Sequence, residues 1–173
     1  RALQRAEKAG IANTCINHRD FSDRESFDQA VVSTLKEAGV ELVVLAGFMR
    51  IISEVFVEAF PQRIINIHPA LLPSFPGLHV QKKAIEYGAR FSGCTVHFVD
   101  TGVDTGPIII QAVVPILDDD TEDSLAARIL QQEHKVYPKA IQLIAEGRVR
   151  IEGRRVRIDT STDSEAALIN PPL

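Results

Sequence analysis

Apolar runs predict strands at five places along the chain. Residues 41–46 (ELVVLA) are continuously apolar after Glu41, as is typical of a parallel strand covered on both faces. Three later runs are rich in β-branched residues and predict strands at residues 63–67, 92–99 and 108–116. A shorter apolar run predicts a further strand at residues 11–16.

Amphipathic stretches predict helices between the strands, at residues 1–9, 24–38, 80–87 and 122–146. In the second of these, four apolar positions recur at helical spacing and are expected in the core: Phe27, Val31, Val32 and Leu35. Ser22 or Asp23 is expected to cap this helix, and Ser53 to cap a short one further along. Pro138 falls inside the last helix and predicts a kink or a break there.

The end of the chain predicts a β-hairpin at residues 149–159, with Gly153 at its centre. Its alternating pattern carries five arginines: Arg148, Arg150, Arg154, Arg155 and Arg157. We interpret them as the solvated face of the hairpin, with a basic binding patch as the alternative. Residues 1–159 are then one domain, and residues 160–173 form a loose tail.

The order of these elements predicts an α/β fold. Strands that alternate with helices favour an open, mostly parallel, Rossmann-like sheet with helices on both faces, here followed by the C-terminal hairpin. In such sheets, ligands bind beyond the carboxyl ends of the strands. Residues 47–52 and 66–77 follow two of the predicted strands, so this edge is where we expect a site.

Composition narrows the choice of partners. The chain has 173 residues, a net charge of −4 and an isoelectric point near 5.7, which argues against nucleic acid or an acidic membrane as a partner. No apolar run reaches the length of a membrane span. Cys15 and Cys94 lie in apolar runs without CxxC spacing, which favours reduced core thiols in a cytoplasmic protein.

Candidate chemistry centres on residues 66–77 (NIHPALLPSFPG). Asn66 and His68 are two positions apart, so on a strand both side chains point to the same face. The proline-rich loop after them would hold that strand end rigidly. The alternative is a buried polar pair that caps the strand without any catalytic role.

A second cluster, residues 100–107 (DTGVDTGP), contains two Asp-Thr-Gly triplets. Aspartic proteases bring two such triplets together from separate lobes, whereas these are four residues apart in one turn and cannot face each other as a dyad. Either carboxylate could satisfy backbone donors in an Asx-type turn. Alternatively, one of them reaches His68 and favours its imidazolium form.

Other catalytic classes lack their signatures. The five histidines show no HExxH pattern, which argues against a metal site. Alternation places His97 opposite Val96 and Phe98, and by itself it is interpreted as a satisfied core histidine. Neither a nucleophile elbow nor a P-loop is present. What remains is Asn66, His68 and an aspartate, a set that suits direct attack of a substrate amine on an acyl carbon.

These motifs resemble the folate-dependent phosphoribosylglycinamide formyltransferases. The resemblance rests on residues 66–77 and on Asp104-Thr105-Gly106-Pro107, with further matches that extend it from Arg1 to about Gly147. It implies transfer of a formyl group from 10-formyltetrahydrofolate to the amine of glycinamide ribonucleotide, without a metal. We expect a cytoplasmic enzyme that acts as a monomer or homodimer.

The resemblance also implies roles for individual residues. Asn66, His68 and Asp104 match the family's catalytic residues. The folate site would be formed by Arg24, Met49, Arg50, Ile51, Ile52, Asn66, Asp100 and Asp104. Pro69 and Glu133 would contact the nucleotide substrate. The Leu72–Pro73 peptide is a candidate for the cis form.

One departure concerns the start of the chain. The family's first βαβ portion, which includes the phosphate-binding loop, has no counterpart in this sequence. Two alternatives to the transferase stay open, and this departure counts in favour of the second. One is hydrolysis of formyltetrahydrofolate by water, and the other is a non-catalytic folate- or nucleotide-binding remnant.

Overall fold

The computed structural model describes residues 2–159, and the predicted tail lies outside this range. Five helices and six strands follow one another, with a short 3-10 turn at His18–Asp20. The helices are α1 (Ala2–Lys8), α2 (Arg24–Glu37), α3 (Glu54–Ala59), α4 (Val80–Tyr87) and α5 (Glu122–Ala145). The strands are β1 (Val43–Leu45), β2 (Ile64–His68), β3 (Phe91–Phe98), β4 (Ile108–Pro115), β5 (Val149–Glu152) and β6 (Arg155–Ile158).

The first four strands form one open sheet in the order β1-β2-β3-β4, and β5 and β6 form the predicted hairpin. The α/β class is confirmed, but within the described strands the main sheet is mixed rather than mostly parallel. β1 and β2 are parallel, whereas β2–β3 and β3–β4 are antiparallel. Only residues 99–107 join β3 to β4, a connection too short for the crossover that a parallel pair requires.

Helices cover both faces of this sheet, as predicted. Ile64 of β2 packs with Val32 of α2 and Phe56 of α3. Its neighbour Ile65 points to the opposite face and packs with Tyr137 of α5. The alternation along β2 thus divides the core into two layers, one on each side of the sheet.

Local signals placed several element boundaries correctly. Asp23 caps α2, because its carboxylate accepts the Ser26 N–H at 2.8 Å. Ser53 is the N-cap of α3, but its hydroxyl makes no cap hydrogen bond. The buried carboxylate of Asp28 instead accepts the Ser53 N–H at 2.6 Å. The position of this cap was therefore predictable from the sequence, whereas the carboxylate that binds the Ser53 N–H comes from α2.

Residues 11–16 form no strand, contrary to the prediction. Ile11 is 62% exposed, and Cys15, expected in the core, is exposed as well. An apolar run becomes a strand only where a neighbour takes up its backbone hydrogen bonds, and no strand within residues 2–159 pairs with this segment. Cys94, in contrast, is buried on β3 as expected, and burial raises the pKa of its thiol to about 11.

Pro138 does not break α5, which runs from Glu122 to Ala145. A proline removes one backbone hydrogen bond from a helix. Here the residues around it are well packed: Tyr137 and Ala140 lie in the core, and the Tyr137 hydroxyl bonds to the carbonyls of Leu45 and Ile65. This packing keeps the helix continuous across the proline. No helix in the described range is both long and apolar enough to cross a membrane.

Candidate active site

Asn66 and His68 project from the same face of β2, as their spacing predicts. The intervening Ile67 packs toward α5, on the other side of the sheet. His68 is the last residue of β2 and is 4% exposed. The loop that follows it contains the predicted cis peptide between Leu72 and Pro73.

Asp104 reaches this strand end from the loop between β3 and β4. One of its carboxylate oxygens, Oδ2, lies 3.4 Å from Nδ1 of His68 and accepts the Gly77 N–H at 2.9 Å. The other, Oδ1, lies 3.7 Å from Nε2 of His97. The tertiary fold thus brings together two segments that lie 36 residues apart in sequence, from 68 to 104.

Both ring nitrogens of His68 face acceptors. Its Nε2 lies 2.9 Å from the carbonyl oxygen of Phe75, and its Nδ1 faces the Asp104 carboxylate. Because a carbonyl oxygen only accepts, Nε2 carries a proton. The two contacts fix the orientation of the ring, and the expectation that Asp104 favours its imidazolium form stays a prediction.

His97 is part of this cluster, a role that sequence reasoning missed. It pairs with Asn66 in the β2–β3 register, and its Nε2 lies 3.4 Å from the Asn66 side-chain nitrogen. Its Nδ1 lies 2.8 Å from the Phe98 carbonyl and therefore carries the proton that donates to it. The prediction of a satisfied, buried histidine is confirmed, and the same ring also contacts the site.

Burial lowers the pKa of His97 below its ordinary value of 6.5, although the Phe98 carbonyl and the Asp104 carboxylate oppose this shift. The neutral ring, with its proton on Nδ1, presents the Nε2 lone pair to the Asn66 amide. One N–H of that amide is then engaged by His97, and the second remains for a substrate oxygen.

This shift makes a prediction about stability and pH. As pH falls below about 6.5, the unfolded chain protonates His97 while the folded chain resists, so stability is lost by up to about 1.4 kcal/mol per pH unit. In His97→Gln this contribution disappears. Urea unfolding between about pH 5 and pH 8 should give a flatter stability profile for this variant than for the wild type. The exposed His18→Gln is the control, and equal slopes for His97→Gln and wild type would contradict the assignment.

The two Asp-Thr-Gly triplets have different tasks. Asp100 accepts the Gly102 N–H at 3.1 Å and the Thr105 hydroxyl at 2.6 Å, which makes it the Asx-type turn residue. Asp104 is the carboxylate that faces the two histidines. Its backbone φ is 54°, a left-handed conformation that is strained for a residue with a side chain.

Gly106 allows this loop to close against β3. A Cβ on Gly106 would lie 1.8 Å from the Phe98 carbonyl oxygen, so the backbone would have to move. We expect Gly106→Ala to displace Asp104 and to expose the Gly77 N–H that it binds, seen as faster amide hydrogen exchange at Gly77. Gly147→Ala is the control for backbone strain alone, because Gly147 has a φ of 68° but nothing lies within 4 Å of a Cβ there. Unchanged exchange at the Gly77 amide in Gly106→Ala would show that the position of Asp104 does not depend on the close approach of Gly106 to β3.

A cavity of about 920 Å³ opens in front of these groups, within the range of small-molecule sites. Ten of the eleven residues predicted from the sequence line it: Met49, Arg50, Ile51, Ile52, Asn66, His68, Pro69, Asp100, Asp104 and Glu133. Arg24, the eleventh, is the exposed first residue of α2 and is not among the lining residues, so its folate contact stays a prediction. Val103 and Leu78, which sequence reasoning did not select, line the cavity as well.

The segment from Met49 to Ile52 is held from α2. At one end, Asp28 accepts the Ser53 N–H, and at the other the Arg50 guanidinium lies 5.1 Å from the centre of the Phe27 ring. Met49 remains 71% exposed at the cavity. Such an exposed apolar side chain on a fixed segment suits contact with a flat, apolar ligand.

Glu133 lies on α5 on the opposite wall of the cavity. Burial raises its carboxyl pKa, while the nearby His134 and His68 oppose this shift. The family resemblance, rather than any local pattern around Glu133, predicted this proximity. Within residues 2–159, no group of three or more histidine, cysteine or acidic side chains is arranged to hold a metal.

A comparison of the whole sequence with known protein families agrees with the geometry of this site. The family model for formyl transferases matches residues 1–141. The chain belongs to the formyl transferase family.

Known members of this formyl transferase family are close in sequence. The chain is 56% identical over 145 residues to the trifunctional purine biosynthetic protein adenosine-3 of Drosophila melanogaster, covering 84% of this chain and 11% of that protein. It is 42% identical over 157 residues to the phosphoribosylglycinamide formyltransferase of Escherichia coli K12, covering 91% of this chain and 74% of that enzyme. The chain thus spans about a tenth of the first relative and about three quarters of the second.

A solved structure matches the fold. The crystal structure of glycinamide ribonucleotide transformylase 1 from Symbiobacterium toebii superposes with a TM-score of 0.89 at 53% identity, over 90% of this chain and 74% of that one. The formyl transferase fold predicted from the sequence is therefore confirmed.

Proposed function

We propose that this chain transfers a formyl group from 10-formyltetrahydrofolate to the amine of glycinamide ribonucleotide, in purine biosynthesis. The observation that carries the proposal is the convergence of Asn66, His68 and Asp104 on one wall of the cavity. Relatives named for this reaction, at up to 53% identity, support the choice of substrates. We further propose that no metal takes part.

The reaction begins when the substrate amine attacks the formyl carbon. A carbon–nitrogen bond forms, and the carbonyl oxygen becomes an oxyanion. The free N–H of the Asn66 amide donates to this oxygen, and His68 in its imidazolium form shares that stabilisation. Because donors of this kind act on charge that develops only in the transition state, they raise kcat rather than substrate affinity.

Collapse of the intermediate breaks the bond between the formyl carbon and N10 of the folate. N10 leaves with a proton, and the attacking nitrogen loses one, so the two transfers balance. We assign this proton transfer to His68, whose ring is oriented by the Asp104 carboxylate 3.4 Å from its Nδ1. The formylated nucleotide and tetrahydrofolate are the products.

We assign the binding surfaces as follows. The segment from Met49 to Ile52 holds the folate, together with Asp100 and Asp104, and Pro69 and Glu133 face the nucleotide. The exposed apolar side chains of Met49 and Ile51, 71% and 54% exposed, support the folate assignment. As a half-buried carboxyl group at the cavity, Glu133 suits a hydroxyl of the ribose.

The test separates transfer from hydrolysis. Purified protein is supplied with 10-formyltetrahydrofolate, with and without glycinamide ribonucleotide, and both formate and formylated nucleotide are measured. Formylated nucleotide in proportion to tetrahydrofolate supports the proposal. Formate release that is independent of the nucleotide would instead identify a hydrolase, and folate binding without turnover would identify a binding module.

A further inference from the structure

The arginine-rich hairpin lies outside the region that the family model matches, residues 1–141. The proposed function leaves it without a role. β5 and β6 alternate as predicted, with Val149, Ile151, Val156 and Ile158 turned inward. These four side chains pack against the core cluster that contains Phe98 and Ile109. The hairpin is thus docked on the strands that flank the Asp104 loop.

Three of the five arginines are paired within the hairpin region. Arg148 lies 3.1 Å from Glu146, Arg150 lies 3.8 Å from Asp159, and Arg157 lies 3.1 Å from Glu152. Pairs of this kind at the surface contribute little to stability. These three paired arginines form the solvated face of the hairpin that the sequence predicts.

Arg154, at the tip of the hairpin, makes a different contact. Its guanidinium Nη2 donates to the carbonyl oxygen of Thr105 at 2.8 Å, 49 residues away in sequence. Thr105 follows Asp104 directly, so this bond holds the backbone next to the strained residue. Strained conformations persist only where the surroundings determine them from several sides.

We infer that Arg154 is a positioning residue for Asp104. The hairpin tip fixes the Thr105 carbonyl, and this keeps the Asp104 carboxylate within reach of His68 and His97. The expected effect on the reaction rate rests on the proposed function, whereas the expected effect on the position of the loop does not. The guanidinium touches neither histidine, so it acts through the loop alone.

Other hydrogen bonds also hold the Asp104 loop in place. The loss of the Arg154 contact is therefore expected to have a limited effect on the rate. Asp100 binds the Thr105 hydroxyl, and the Gly77 N–H binds Asp104 itself. Arg154 is also exposed, so water competes for its donors. We therefore expect Arg154→Ala to lower kcat by about 3- to 10-fold, with KM for both substrates changed less than about twofold.

Amide hydrogen exchange tests the inference without any enzymatic assay. The Gly77 N–H reports on the position of Asp104, and the Gly102 N–H on the rest of the loop. In Arg154→Ala, exchange at both amides should accelerate by about 3- to 10-fold. Arg155→Ala is the matched control, since it removes the neighbouring exposed arginine on β6. Arg154→Lys keeps a cationic donor and should restore part of the protection.

The outcomes separate the two proposals. Faster exchange in Arg154→Ala alone supports the positioning role, even if the wild-type protein transfers no formyl group and the proposed function fails. Equal exchange in wild type, Arg154→Ala and Arg155→Ala would overturn the inference, whatever the activity. If the protein is active, a loss of kcat shared equally by both alanine variants would also overturn it, since it would reflect charge rather than this contact.

Discussion

Asn66→Ala lowers kcat for formyl transfer by about 10²- to 10³-fold, with little change in KM. The physical reason is that the amide N–H stabilises an oxyanion that exists only in the transition state, and loss of one such donor has an effect of this size. His97 strengthens the expectation, because it engages the Asn66 side-chain nitrogen at 3.4 Å and restricts the rotation of the amide. Steady-state kinetics with both substrates measures the result.

Two further variants sharpen this test. Asn66→Asp keeps the size of the side chain but replaces the donor by a negative charge, so it should be at least as inactive as the alanine variant. Asn13→Ala changes an exposed asparagine that is not among the residues lining the cavity and should leave kcat unchanged. Activity within about threefold of wild type in Asn66→Ala would remove Asn66 from the mechanism.

Asp104→Asn is expected to lower kcat by about 10²- to 10⁴-fold, the range for loss of an acid–base group. The amide is nearly the same shape, and its oxygen can still accept the Gly77 N–H. What is lost is the negative charge 3.4 Å from Nδ1 of His68, and with it the carboxylate contact that orients the ring. The comparison of kcat and KM shows whether the loss arises in the chemical step.

Asp100→Asn is the matched control for this variant. It changes the other triplet of the same loop, where the carboxylate accepts a backbone N–H and a hydroxyl and acts on His97 only as a weaker charge than Asp104. Because Asp100 also lines the cavity, KM for the folate is expected to rise, while kcat stays within about tenfold of wild type. If Asp100→Asn reduced kcat as strongly as Asp104→Asn, charge at the loop rather than the His68 contact would be the cause.

The variants also bear on the pairing of the two histidines. His68 lies between two acceptors, whereas His97 is buried, donates from Nδ1 and has a pKa that burial lowers. One carboxylate, that of Asp104, faces both rings. Because Asp104 opposes the lowering of the His97 pKa by burial, Asp104→Asn should lower that pKa further and change the pH dependence of stability as well as the rate.

Much of this protein is determined by local sequence signals. The two-residue period of a strand placed Asn66 and His68 on one face, and the same period predicted the inward and outward sides of the arginine hairpin. The cap residue Asp23 and the stop residue Gly88 set the ends of α2 and α4. Such features depend on residues within one turn or one strand, so they can be predicted without knowledge of the fold.

Other features were decided only by the tertiary structure. Asp100 and Asp104 stand in identical triplets, and only the loop path assigns one to a turn and the other to His68. His97 joins the site because β3 pairs with β2 in a register that no local pattern encodes. The apolar run at residues 11–16 stays out of the sheet for the related reason that strand formation depends on a partner. Contacts between distant segments are set by how the layers pack. Local patterns therefore predicted the strand end of Asn66 and His68, whereas Asp104 and Glu133 were predicted only through the family resemblance, and the contact of His97 with the site was decided by the fold.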